Sequence, residues 1–139
     1  RGVAAMSGTF GYELNPALLS VEEKAEIRMQ LAKYREHQEL IREGNYYRLS
    51  DPFQDDFAAW MVVSEDQNQA LVSVVRLTAE ANPVAAYVTP RGLAEDAFYL
   101  EKTTGKVYAG AALMEAGILL TAPKGEYEAY QIMLQRVTE

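Results

Sequence analysis

The hydrophobic period of this chain changes once, at Gly44-Asn45, and that change limits the folds open to it. Before it, Ser20 followed three residues later by Glu23 makes a capping box. In that arrangement a hydroxyl and a carboxylate bond backbone N–H groups that have no intrahelical partner. From Val21 to Glu43, Ile27, Leu31, Tyr34 and Ile41 fall on one stripe, widened by Ala25, Met29, Ala32 and Leu40. Gly44 is read as a left-handed stop. The spacing predicts one helix roughly 35 Å long.

After the change the period becomes that of strands, in runs rich in Val, Ala, Tyr, Leu and Trp separated by turn residues. Phe57–Val63 and Ala70–Leu77 are apolar on both faces and flank the polar loop Ser64–Gln69, which predicts a hairpin near the middle of a sandwich. Ala85–Thr89, Ala97–Lys102, Lys106–Ala109, Ile118–Leu120 and Ala129–Val137 follow. The turn Thr103-Thr104-Gly105 has glycine where positive φ is wanted. Ahead of the helix, the apolar and aromatic run Thr9–Leu14 ends in Asn15-Pro16 and reads as a buried strand. The expected fold is mainly β: an antiparallel sandwich of Greek-key type, preceded by one strand and one long helix from a larger α/β body. The boundary is placed at Gly44-Asn45, giving portions 1–45 and 46–139 with tight packing expected across it.

With 139 residues the chain is one modest domain, and 49% apolar with 24% charged residues puts it in the globular class. Zero cysteines remove thiol nucleophiles and thiolate metal sites and agree with a reducing cytoplasm, the expected location. No run of about 18 apolar residues is present to span a bilayer, so the chain reads as soluble. The net charge of −7 argues against nucleic acid. Residues 1–45 hold six basic and seven acidic side chains and residues 46–139 hold seven and thirteen, so the acidity belongs to the β portion. The opening Arg1 gives the chain the look of a segment cut from something longer.

Each group that could carry chemistry has a plainer reading. His37, the single imidazole, stands between Glu36 and Gln38 without a partner set for a triad or a metal and reads as a surface or interface residue. The acid pairs Asp55-Asp56 and Glu126 with Glu128 meet the spacing of a glycosidase pair by chance in a chain with 20 carboxylates, and read as solubilising loop tips. Ser7-Gly8-Thr9 lacks the further glycines and lysine of a phosphate loop. Trp60, among Ala59, Met61 and Val62, reads as core rather than as a sugar platform. Tyr46-Tyr47-Arg48 reads as a layer junction. No catalytic, cofactor-binding or metal residue is assigned, and neither a cofactor nor a metal is expected.

Several stretches share the order of one family. Gly8-Thr9-Phe10-Gly11-Tyr12-Glu13-Leu14, then Tyr34, Leu40-Ile41 and Gly44, then Tyr47-Arg48-Leu49 with Pro52-Phe53, form the first set. Ala59-Trp60-Met61-Val62-Val63-Ser64 with Asp66 and Ala70, Gly92-Leu93 before Tyr99, then Tyr108, Gly110, Leu113-Met114 and Gly117, form the second. Together they resemble the barrel end and the β-domain of bacterial α-galactosidases of glycoside hydrolase family 36. Ala111-Ala112 and Asn15 depart from the family, where a more polar pair and aspartate are common.

The resemblance implies a parent enzyme that hydrolyses terminal α-galactosides, such as melibiose and raffinose-type sugars, with retention. This chain would supply the last strand and helix of its (β/α)8 barrel and the C-terminal sandwich. Both catalytic aspartates are implied to lie on earlier strands, so the fragment is expected to be inactive and to brace the barrel. Its partners would be the rest of the enzyme and, through the bared helix, other copies of itself. Tyr12, Glu13 and Leu14 would sit near the barrel top, with Glu13 a buried acid between layers. The alternative reading is an autonomous carbohydrate-binding sandwich module.

Overall fold

The computed structural model describes residues 2–78, 86–120 and 128–137. In chain order these form α1 (Gly2–Ala5), a 3-10 turn (Pro16–Leu18), α2 (Val21–Glu43), β1 (Asn45–Arg48), β2 (Phe57–Val63), β3 (Gln69–Arg76), β4 (Ala86–Val88), β5 (Phe98–Glu101), β6 (Val107–Ala109), α3 (Gly110–Ala116), β7 (Ile118–Leu120) and β8 (Ala129–Arg136). Six strands make one antiparallel sheet in the order β1-β2-β3-β8-β5-β6, and β4 pairs with β7 in a second, small sheet. The fold is therefore mainly antiparallel β, as the spacing of the strands predicts.

Strand alternation sends β2, β3 and β8 to work on both faces. On the inner face the register aligns Met61, Val72 and Ile132, and beside them Val63, Ala70 and Leu134, all buried. They pack against Val88 of β4, Ile118 and Leu120 of β7, Leu113 of α3, and Leu93 and Ala97 of the preceding loop. Among the described residues the second layer is thus a two-stranded sheet plus a short helix. α3 is a difference from the sequence reading, because Gly110-Ala-Ala offers neither a cap nor a long apolar stripe. Gly110 is needed there for space: a Cβ would lie 2.0 Å from the Ala94 carbonyl oxygen.

On the outer face, Val62, Leu71 and Met133 stand directly opposite one another across three strands and receive Leu40 and Ile41 of α2. Fully burying side chains of this size is worth about 1.5–3 kcal/mol each, which makes this row the main anchor of the helix. The capping box forms as the spacing predicts: Ser20 Oγ accepts from the Glu23 N–H at 3.1 Å, and Glu23 Oε2 accepts from the Ser20 N–H at 2.8 Å. Gly44 is not left-handed, however, since its φ is −77°. Glycine is required there because a Cβ would fall 2.5 Å from Val62 Cγ1 and 2.6 Å from the Leu40 carbonyl oxygen, so the residue lets the helix end meet β2.

The strand expected at Thr9–Leu14 does not form, and among the described residues no strand stands before the long helix. A strand needs a neighbouring edge to bond, and among the described residues none lies beside this segment. Its aromatic residues pack on α2 instead: the Phe10 ring centroid is 5.3 Å from those of Tyr12 and Tyr34, and the Tyr34 hydroxyl donates to the Gly8 carbonyl at 3.0 Å.

Candidate functional site

The β2–β3 turn is built by side chains as much as by backbone. Asp66 Oδ1 accepts from Ser64 Oγ at 2.6 Å and from the Asn68 N–H at 3.0 Å, while its Oδ2 accepts from Asn68 Nδ2 at 2.7 Å. The Ser64 bond, and then those from Asn68, hold the Asp66 carboxyl below the usual carboxylate range. The turn takes Gln67 into the left-handed region, φ 57°, and so aims its side chain at Gly92, whose carbonyl accepts from Gln67 Nε2 at 2.9 Å. Between this turn and the end of α2 lies an open cleft of about 850 Å³ whose carboxylates include Glu36, Glu39, Glu43, Glu65 and Asp66. Only Glu65 and Asp66 belong to the portion whose charge imbalance was legible, since Glu36, Glu39 and Glu43 stand on α2, and the turn chemistry that shapes the cleft was read only as a polar loop, although Ser-x-Asp-x-Asn is a pattern that builds such turns.

Asp55 and Asp56 are engaged in bonds to their own loop and to the residues just after β3. Asp55 Oδ2 accepts from the Asp51 N–H at 2.8 Å, and Asp56 Oδ1 accepts from the Thr78 hydroxyl. These bonds close the loop between β1 and β2 and tie it to the end of β3. Glu128 sits where β8 begins, its carbonyl accepting from the Arg76 N–H at 2.9 Å, and Glu126 lies outside the described residues. Ser7 closes α1 by donating to the Ala4 carbonyl at 2.6 Å, a helix-end role. Glu13 is exposed in this chain, and its expected place between barrel layers belongs to the parent enzyme.

His37 lies at the interface between α2 and the sheet, and Trp60 differs from expectation. The imidazole is buried at 7% exposure on the docked face of α2, and burial pushes its pKa below the ordinary histidine value, with Glu36 opposing and Lys33 and Lys102 adding to the shift. Trp60 is half-buried on the outer face of the sheet, opposite Ser73 and Arg48, outside both hydrophobic cores. A strand that is apolar on both faces gives no sign of which face its tryptophan takes. Tyr47 packs at the rim of the inner core, while Tyr46 and Arg48 are exposed.

Among the described residues no three His, Asp or Glu side chains gather closely enough to hold a metal ion, and no helix is long and apolar enough to cross a membrane. The arrangement is one sheet that holds a helix on one side and a small second layer on the other.

Comparison with known proteins places this arrangement. A family model described as the glycosyl hydrolase family 36 C-terminal domain matches residues 57–134, and a second, described as melibiase, matches residues 1–44. The bifunctional α-galactosidase/sucrose kinase AgaSK of Mediterraneibacter gnavus is 61% identical over the whole chain, which spans 15% of that protein. The α-galactosidase AgaA of Geobacillus stearothermophilus is 39% identical over the whole chain, which spans 19% of it. The solved galactosidase domain of AgaSK superposes with a TM-score of 0.93 at 61% identity, over 98% of this chain and 19% of that one. The crystal structure of AgaA superposes with a TM-score of 0.92 at 39% identity, again over 98% and 19%. The chain therefore spans less than a fifth of the length of these relatives.

Proposed function

Because the chain belongs to glycosyl hydrolase family 36, we propose that it is the C-terminal part of an α-galactosidase, bracing the catalytic barrel without contributing a catalytic residue. Residues 1–45 would complete the barrel and residues 46–139 would form the domain that follows it. Substituted variants of AgaA have been crystallised with raffinose and with stachyose, and terminal α-galactosides of this kind are the substrate class proposed for the parent enzyme.

The observation that carries the bracing role is a second apolar stripe on α2. Val21, Ala25, Met29 and Ala32, spaced four, four and three residues apart, share one side of the helix by its 3.6-residue period. All four are exposed, Val21 at 78% and Met29 at 71%. They lie roughly opposite Ile27, Leu31, Tyr34 and Ile41, which turn toward the protein. Leu18, just ahead of the helix, is 83% exposed. A helix that is apolar on two sides packs between two bodies, and the sheet supplies only one of them. The rest of the parent enzyme is the natural second body. In the isolated chain a second copy would serve instead, so sedimentation velocity should show association.

The exposed aromatics give little support to a sugar-binding module. Tyr46 on β1, Phe53 in the loop after it, Tyr87 on the small sheet and Phe98 on β5 belong to separate parts of the surface. The purified chain is expected to release no galactose from an aryl α-galactoside and to show no saturable binding of galactose, melibiose or raffinose at millimolar concentrations. Turnover would overturn the bracing role, and saturable binding would favour the module.

A further inference from the structure

Only Tyr34, His37 and Leu40 of α2 are fully buried, so an ionisable imidazole makes up one third of the helix's deepest contact. Its two companions are well provided for. The Tyr34 hydroxyl reaches the Gly8 carbonyl, and Leu40 joins Val62, Leu71 and Met133. His37 lies one turn from each of them, at the middle of the docked face.

Among the described residues the charged groups around it are few. On the helix itself they are Lys33 and Glu36. From the sheet comes Lys102, just past β5, held beside this row by its N–H, which donates to the Met133 carbonyl at 3.0 Å. The outer-face residues of β2 and β3 that meet the helix side, Trp60, Val62, Leu71 and Ser73, do not titrate, nor do Met133 and Gln131 of β8. Residues 2–8, which include α1, carry no titratable side chain. A proton on His37 would thus face two lysines and one glutamate from a place largely closed to water.

We propose that His37 is a pH-sensitive latch: neutral, it lets α2 dock on the outer face of the sheet, and protonated, it releases the helix. Burial disfavours the charged imidazole, and the depressed pKa agrees with the geometry. The sign follows from linkage. A histidine that binds its proton less readily when docked than when released stabilises docking fully above pH about 6.5, and that stabilisation is lost as pH falls below it. Release would undo one of the two attachments of residues 2–44 to the sheet, the other being α1, which packs against β3 and β8. The latch does not depend on which substrate the parent enzyme takes.

The chain has a single histidine, so its imidazole NMR signals are unambiguous. The titration midpoint should fall below 6.5, and the exchange-corrected opening of amides in the second half of α2 should rise between pH 7.5 and pH 5.5. The expected rise is several-fold and at most about tenfold, the limit set by an unperturbed imidazole in the released state. Amides of β2 and β3 should not follow. His37→Gln should abolish the rise. A midpoint at or above 6.5, unchanged helix protection across this range, or a His37→Gln chain that keeps the full response would each overturn the proposal. If the variant does not fold, the titration and exchange of the unaltered chain still decide.

Discussion

The Tyr99 hydroxyl donates to the Gln67 carbonyl at 2.8 Å and accepts from the Ala94 N–H at 3.0 Å. Tyr99 is fully buried, and its two bonds join the β2–β3 turn to the loop that runs into β5. The same loop is held by the Arg91 N–H, 3.1 Å from Met61 Sδ, and by Gly92, where a Cβ would strike the Tyr47 ring.

Removing that hydroxyl strands a carbonyl and an N–H together. Tyr99→Phe should lower stability by about 1–3 kcal/mol, the cost of leaving buried polar groups unpaired. Urea unfolding should show a lower midpoint with an unchanged slope, and amide exchange should quicken first at Gln67–Gln69.

Glycines separate space from flexibility. Gly110→Ala places a methyl 2.0 Å from a backbone oxygen that cannot swing away, so a loss of about 2 kcal/mol or more is expected. Gly8→Ala meets nothing within 4 Å and should change stability by no more than about 0.5 kcal/mol. Paired thermal melts of the two variants test the contrast.

Ser20→Ala breaks half of the capping box. It should cost about 1 kcal/mol, felt as faster exchange in the first turn of α2 and a modest fall in Tm. An unchanged first turn would mean that packing, not the cap, sets where the helix begins.

The Tyr130 hydroxyl is buried without a hydrogen-bond partner among the described residues, and burial pushes its pKa up to about 12, with Arg76 pulling the other way. The unfolded phenol ionises near 10, so the stability it contributes is intact below pH 10 and falls as pH rises toward 12. Tyr130→Phe should remove that part of the alkaline loss. At neutral pH it should be neutral or slightly stabilising, since it deletes an unpaired buried group. Denaturant unfolding at pH 7 and pH 11 reads both effects.

Local signals were legible where they act alone. The capping box, the apolar runs of β2 and β3 and the glycine turn at Gly105, with φ 72°, stand where their residues predict them. What depends on a neighbour was not legible. Thr9–Leu14 has the composition of a strand, but pairing needs an edge, and its aromatics found α2 instead. Val21, Ala25, Met29 and Ala32 count as one stripe with Ile27 only until a sheet occupies one side of the helix. Gly44 looks like a helix stop in any sequence, whereas its actual task, admitting Val62, exists only in the assembled fold. Asp55 and Asp56 read as scattered charge because their partners, the Asp51 N–H and the Thr78 hydroxyl, come beside them only when the loop closes.

The order β1-β2-β3-β8-β5-β6 places residues 129–136 between two pieces made much earlier. During synthesis β1, β2 and β3 leave the ribosome as one meander and β5 with β6 as a separate hairpin, neither able to bond the other. The pairing of Gln69 with Gln135 joins residues 66 positions apart, a slow, non-local closure. Until it happens β3 presents a bare edge, so the newborn chain passes through a period in which a chaperone or another strand can take the place of its own last strand.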